Sequence, residues 1–254
     1  FAATVNVLPG QSIQAAVNAA TAGDQLIIAA GAYAEDLTIT KNLDFRREAG
    51  TTVHMSGNVT FSGITGAFVF AHFRVGSDAT KSLTIINCPN VFLEDVNASG
   101  GGGLSTTGSK VYAYDCSFGN AIFTTSNWTL QECVISGDVT SNSSDTKVLR
   151  CTINGNLAHN TTGTHTCTVF QSTISTTAGT KLTTMAKRSW IGYNTMRSLV
   201  ISGDAEEAEV VGNLIDKGND SLNHKYIVEV DAVSLVATVR NNVMRNNFFS
   251  NFDN

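Results

Sequence analysis

Eight six-residue segments share one arrangement of apolar and polar positions: LEDVNA (93–98), AYDCSF (113–118), LQECVI (130–135), VLRCTI (148–153), VFQSTI (169–174), IGYNTM (191–196), VVGNLI (210–215) and VRNNVM (239–244). The first position is apolar every time, from Leu93 to Val239, and so is the last, from Ala98 to Met244. Residues five apart on a straight strand face opposite sides. Two uniformly apolar columns at that separation therefore require a bend at the third and fourth positions. Asp95, Asp115, Gly212 and Asn241 occupy the third position, and these residue types tolerate a left-handed backbone. The fourth position, from the second segment on, reads Cys116, Cys133, Cys151, Ser172, Asn194, Asn213 and Asn242.

Counted at the fourth position, the segments recur at steps of 20, 17, 18, 21, 22, 19 and 29 residues. A coil of about 20 residues built from short strands and bends predicts a parallel β-solenoid, whose turns stack about 4.8 Å apart so that like residues form ladders. Propeller blades run to about 40 residues, and leucine-rich repeats show a regular Leu and Asn pattern; neither is present. Ahead of the repeats, Ile13, Ala16, Val17 and Ala20 are at helical spacing, with Ser12 as N-cap and Gly23 as stop. A short helix here would cover the first turn, whose core and strand edges would otherwise be open. Strands are expected at Gln25 to Ile28, Leu37 to Ile39 and Leu43 to Phe45, with turns at Gly31 and Asn42.

The run QSIQAAVNAA followed by AGDQLIIAAGAYAEDLTI, together with the Asn-containing repeats, resembles right-handed parallel β-helix proteins of the pectin-lyase-like superfamily, over roughly residues 5 to 245. The resemblance implies the fold. It leaves function open, because the superfamily holds lyases, hydrolases, esterases, epimerases, phage tailspikes and non-catalytic surface proteins. Motifs of its methylesterase-like, polygalacturonase-like and pectate-lyase-like members are absent, so no catalytic residue carries over.

Composition narrows the picture. With 31 Thr, 22 Ser, 23 Asn and 22 Gly, 2 Pro and only 15% charged residues, the chain suits strands and turns. The net charge of −5 gives no footprint for nucleic acid, and no apolar run approaches the roughly 18 residues of a membrane span. Cys88, Cys116, Cys133, Cys151 and Cys167 are an odd number and cannot all pair within one chain. A chain beginning at Phe1 is consistent with a removed leader or a trimmed boundary. The six Asn-x-Ser/Thr sequons are about as many as chance supplies in so Asn-, Ser- and Thr-rich a chain.

Four groups invite a chemical reading. Asp95, Asp115 and Glu132 fall in one column, followed by Arg150. Stacked carboxylates could bind Ca²⁺ or share a proton, but Gly212 and Asn241 in the same column favour a bend. Cys116, Cys133 and Cys151 form a second column with no metal-binding spacing, expected to be buried, reduced and stacked. His159 and His165 flank a Gly-containing turn, expected to be solvated rather than metal-binding. Lys181, Lys187 and Arg188 precede Trp190; they could neutralise an acidic sugar or solvate a turn. Gly100 to Gly103 is expected as a loop and lacks the Lys and Ser/Thr of a phosphate-binding loop.

The expected architecture is an all-β, right-handed parallel β-helix of about ten coils. Its parts are an N-terminal segment with the capping helix (1–24), the β-helix (25–245) and an aromatic tail (246–254) carrying Phe248, Phe249 and Phe252. No catalytic, cofactor or metal residues are assigned. The expected role is a secreted or surface-exposed, non-catalytic structural or assembly protein, a filament, spike or coat subunit that self-associates through its ends or sides and could contact a glycan. The competing role is a polysaccharide lyase on acidic glycan.

Overall fold

The computed structural model describes residues 2–78, 80–100, 102–142, 145–161, 164–174, 181–203, 205–216, 228–232 and 236–245. The aromatic tail lies outside them. The chain divides into two compact units, Phe1–Ser136 and Gly137–Asn254. The fold is an all-β parallel β-solenoid of about nine turns with almost no helix.

In the N-terminal unit one sheet stacks Leu37–Ile39, Val59–Ser62, Ser82–Ile86, Gly103–Thr107 and Ala121–Thr124. A second stacks Phe68–Ala71, Val91–Glu94, Lys110–Tyr114 and Asn127–Gln131. A third runs from Gly31–Tyr33 to Val134–Ile135. In the C-terminal unit the first sheet runs from Val139–Asn142 to Val228–Ala232. The second stacks Thr146–Leu149, Thr166–Phe170, Arg188–Gly192, Glu207–Val211 and Val236–Arg240, and the third runs from Thr152–Ile153 to Val243–Arg245. Pairing is parallel and in register; Val91 lies beside Val111, and Val169 beside Ile191.

The repeated segment does what its pattern requires. Its third residue is left-handed in all eight segments, with φ between 48° and 66°, even where it is Glu132, Arg150, Gln171 or Tyr193. Such a conformation costs a non-glycine residue about 1–2 kcal/mol. The turn geometry imposes it, and the bent residue's own N–H is satisfied by the next turn: Asp115 donates to Gln131 O at 3.1 Å and Gln171 to Gly192 O at 3.0 Å. The following residue points inward. An earlier segment, Phe70 to Val75, bends the same way at His72 (φ 66°). A second bend column, Gly63, Asn87, Gly108 and Thr125, separates the first sheet from the second in the N-terminal unit.

Helix α1 spans Ile13–Ala19, with Ser12 Oγ accepting from Ala15 N at 3.0 Å. It ends at Ala20, and Gly23 (φ 94°) serves the turn that follows rather than the stop itself. Ile13 and Val17 are buried. Both helix ends are clamped by charges from the following chain. The Glu35 carboxylate accepts from Ile13 N, Ser12 Oγ and Gln14 N (2.5, 2.6 and 3.2 Å). Lys41 Nζ donates to the carbonyls of Val17, Asn18 and Ala20 (3.1, 2.9 and 2.7 Å). Each charge sits at the end of the helix dipole that favours it. The strands at Gln25–Ile28 and Leu37–Ile39 are as expected, whereas the third runs Asp44–Arg47, with Leu43 buried just ahead of it. Gly31 and Gly103 open strands instead of lying in loops, both at positive φ.

Candidate functional site

The acidic column lies on the bend. Asp95 (φ 48°), Asp115 (φ 51°) and Glu132 (φ 57°) each occupy the left-handed position with side chains at the surface. Asp95 Oδ2 meets His72 Nδ1 from the preceding bend at 2.9 Å, a contact between two well-exposed groups. Among the described residues, no three His, Cys, Asp or Glu side chains converge on a metal-binding geometry.

Cys116, Cys133 and Cys151 are buried thiols, as are Cys88 and Cys167. Each thiol of the column donates to the carbonyl two residues before it, Cys116 to Tyr114 O at 3.2 Å and Cys133 to Gln131 O at 3.3 Å. In the C-terminal unit this inner column becomes a hydrogen-bonded ladder. Cys151 N donates to Ser172 Oγ (3.1 Å), Ser172 N to Asn194 Oδ1 (2.8 Å), Asn194 N to Asn213 Oδ1 (2.8 Å) and Asn213 N to Asn242 Oδ1 (2.8 Å). The amide nitrogens complete it, Asn194 to Val169 O and Asn213 to Ile191 O, each at 2.9 Å. Every rung satisfies buried polar groups, so the column is structural.

His159 corrects the expectation of a solvated turn. It sits fully buried on Leu157–His159, in register between Ser141 and Thr184, because its alternation with Leu157 places both inward. His165 is half-buried.

The basic cluster leads to the outer face of the second sheet of the C-terminal unit. Lys187 Nζ meets Glu206 Oε1 at 2.8 Å, Arg188 Nε meets Glu207 Oε2 at 3.0 Å, and Arg240 Nη2 meets Glu209 Oε1 at 2.7 Å. The parallel register makes the Arg188–Glu207 pair directly, and places Trp190 beside Glu209 and Arg240 beside Val211, two residues on from Glu209. Lys181 is exposed and lies just ahead of the strand Leu182–Thr184, which belongs to the first sheet. Next to the ion pairs, Trp190 stacks on Phe170 (centroids 4.9 Å, planes 18° apart), and Tyr193 meets Phe170 edge-on at 5.5 Å. Trp190 and Tyr193 remain 40% and 58% exposed. An open groove of about 930 Å³ runs over this face from Thr166 to Arg240. The sequence marked the basic residues but not their carboxylate partners or the ring cluster, which only the register assembles.

The last described turn differs from those before it. At the first and last positions of the repeat, the earlier segments are at most 2% exposed, yet Val239 is 49% and Met244 38% exposed. Val236 (73%) and Val243 (51%) add to this surface. No helix among the described residues is long and apolar enough to cross a membrane. Comparisons of the chain with family models, with curated proteins and with solved structures found no match.

Proposed function

We propose that this is a non-catalytic structural or assembly protein of the pectin-lyase-like β-helix type, a secreted or surface-exposed subunit that self-associates through the last described turn of its C-terminal unit. The exposed Val239 and Met244 carry the reading: core positions open to water are costly, and burying them against a second copy recovers roughly 25 cal/mol per Å² of apolar surface. The buried state of all five thiols shields them in oxidising surroundings. The lyase reading has less support, because Lys187 and Arg188 are already neutralised by Glu206 and Glu207.

Sedimentation of the full chain over a wide concentration range, with imaging of the particles, tests this. Species larger than the 26.9 kDa monomer are expected, reverting to monomer in a Val243→Lys, Met244→Lys variant that keeps its far-ultraviolet spectrum. A wild-type chain that stays monomeric throughout overturns the proposal.

A further inference from the structure

The outer face of the second sheet in the C-terminal unit carries an arrangement that assembly does not require. Phe170 lies against Gly192, where an added Cβ would come within 3.2 Å of its ring, and Tyr193 covers Gly212, where the distance would be 2.8 Å. Glycine at both positions lets the rings settle onto the sheet. Trp190 then stacks on Phe170, one indole face backed by a ring and 40% of the residue open to water. A single exposed aromatic is unremarkable. Phe170 in contact with both Trp190 and Tyr193, with two of the three rings over glycines, forms a fixed apolar platform with a phenol at its edge.

Beside the platform stand paired donors and acceptors. Arg188 with Glu207 and Arg240 with Glu209 present guanidinium and carboxylate side by side. Each charged residue lining the groove is held in an ion pair, Arg188 with Glu207, Arg240 with Glu209 and Glu206 with Lys187, so the groove offers no unpaired charge to draw a polyanion or a polycation; Lys147 is exposed two strands away from Trp190 on the same sheet, outside the groove lining. The groove is open along its length, which admits a chain lying across it.

We propose that this face binds an uncharged polysaccharide. A pyranose ring offers a C–H face to the indole, and its hydroxyls both donate to carboxylates and accept from guanidinium groups, which matches the alternation on the sheet. An acidic glycan would present carboxylates to Glu207 and Glu209, while its attraction to Arg188 and Arg240 is already taken up by those partners. A nucleic acid strand could stack on Trp190 but would leave its phosphates unmatched. The groove reaches the last described strand at Val236 and Arg240, but the ring platform of Phe170, Trp190 and Tyr193 lies on earlier turns, apart from the inward-facing Val239 and Met244 on which the self-association reading rests.

The test titrates the full-length chain with cellohexaose, maltohexaose, xylohexaose and mannohexaose, and with hexagalacturonate as the acidic counterpart, by calorimetry and tryptophan fluorescence. Trp128 is buried, so the water-sensitive part of the emission belongs to Trp190. At least one neutral hexasaccharide should bind saturably and shift that emission. Trp190→Ala should weaken it at least tenfold, Trp190→Tyr should keep part of the affinity and confirm the fold, and Glu209→Gln should weaken it less. Absence of binding by every neutral sugar at millimolar concentration, equal binding by Trp190→Ala, or preference for hexagalacturonate would each overturn the proposal. Sedimentation of Trp190→Ala should match wild type, which keeps this outcome separate from that of self-association.

Discussion

In the N-terminal unit the residue that follows the repeated bend and points inward is Phe73, Val96, Cys116 or Cys133; in the C-terminal unit it is Cys151, Ser172, Asn194, Asn213 or Asn242. The backbone bend before it is the same, with φ near 50–60° in both. What fills the interior differs accordingly. The N-terminal unit packs Phe45, Phe61, Phe68, Phe70 and Phe73 into one cluster, with Phe70 stacked on Phe73 at 4.7 Å and edge-on to Phe61 at 5.1 Å. The described residues of the C-terminal unit bury no Phe, Tyr or Trp ring. They hold amides at the bend and hydroxyl pairs elsewhere, Ser141 with Thr146 at 3.2 Å and Thr184 with Ser189 at 3.0 Å. At this bend one backbone geometry is thus filled by a ring, an aliphatic group or a thiol in one unit and mostly by hydrogen-bonding hydroxyls and amides in the other, while the N-terminal unit keeps its hydroxyl ladder, Cys88 N to Ser109 Oγ and Ser109 N to Ser126 Oγ, at its second bend; the bend itself does not demand an amide.

That contrast breaks most visibly at Phe70 and Asn213. Phe70→Ala should cost about 3–5 kcal/mol, and Phe70→Leu clearly less, because the loss follows the cavity left behind. Asn213→Leu keeps the branched shape and the number of heavy atoms yet should cost about 2–4 kcal/mol. It orphans Asn194 N and the carbonyl of Ile191, groups worth roughly 1–3 kcal/mol each when left unmet and not fully additive. Urea midpoints for the three variants decide this. If Asn213→Leu proves as mild as Phe70→Leu, the ladder is packing and not hydrogen bonding.

The part of this plan legible in the sequence was the part written locally. Apolar residues five apart with Asp, Asn or Gly between them announced the bend, and Ser12 with its periodic Ile13 and Val17 announced helix α1. The bend at His72 went unread because Phe73 replaces the small or polar residue that marks the later turns. Glu35 and Lys41 reach helix α1 from about one coil away, and Arg188 finds Glu207 only through strand register. His159 looked like turn chemistry until its strand fixed which way it faced. Contacts between turns depend on phase, and phase drifts with every change in coil length.

At the bend itself the two units should respond alike. Asp115→Asn should be close to neutral, because Asn tolerates the left-handed backbone, while Asp115→Val should cost about 1–3 kcal/mol in strain. Gln171→Val, on the C-terminal side, should fall in the same range. A Val that is harmless at either position would mean the backbone there relaxes out of the left-handed region. Thermal unfolding of the three variants measures this directly.

The smallest effect separates the interiors by their protons. Cys167 is buried in the C-terminal unit, and desolvation pushes its thiol up to about 12 from an ordinary value near 9.0, with a hydrogen bond to Thr184 opposing the shift. The folded form therefore keeps its proton over a range where the unfolded chain has lost it. The stability tied to that proton is fully present below about pH 9 and is lost as pH rises toward 12, at up to about 1.4 kcal/mol per pH unit for one group. Between pH 8 and pH 10, the urea midpoint of wild type should fall further than that of Cys167→Ala, whose interior has no thiol to titrate there. Cys88 in the N-terminal unit is also raised by burial, so Cys88→Ala should remove its own share of the alkaline slope. A thiol reagent should find neither cysteine until the chain unfolds. If Cys167→Ala shows the wild-type slope, the thiol is reached by solvent and the C-terminal interior is wetter than its ladder of satisfied amides requires.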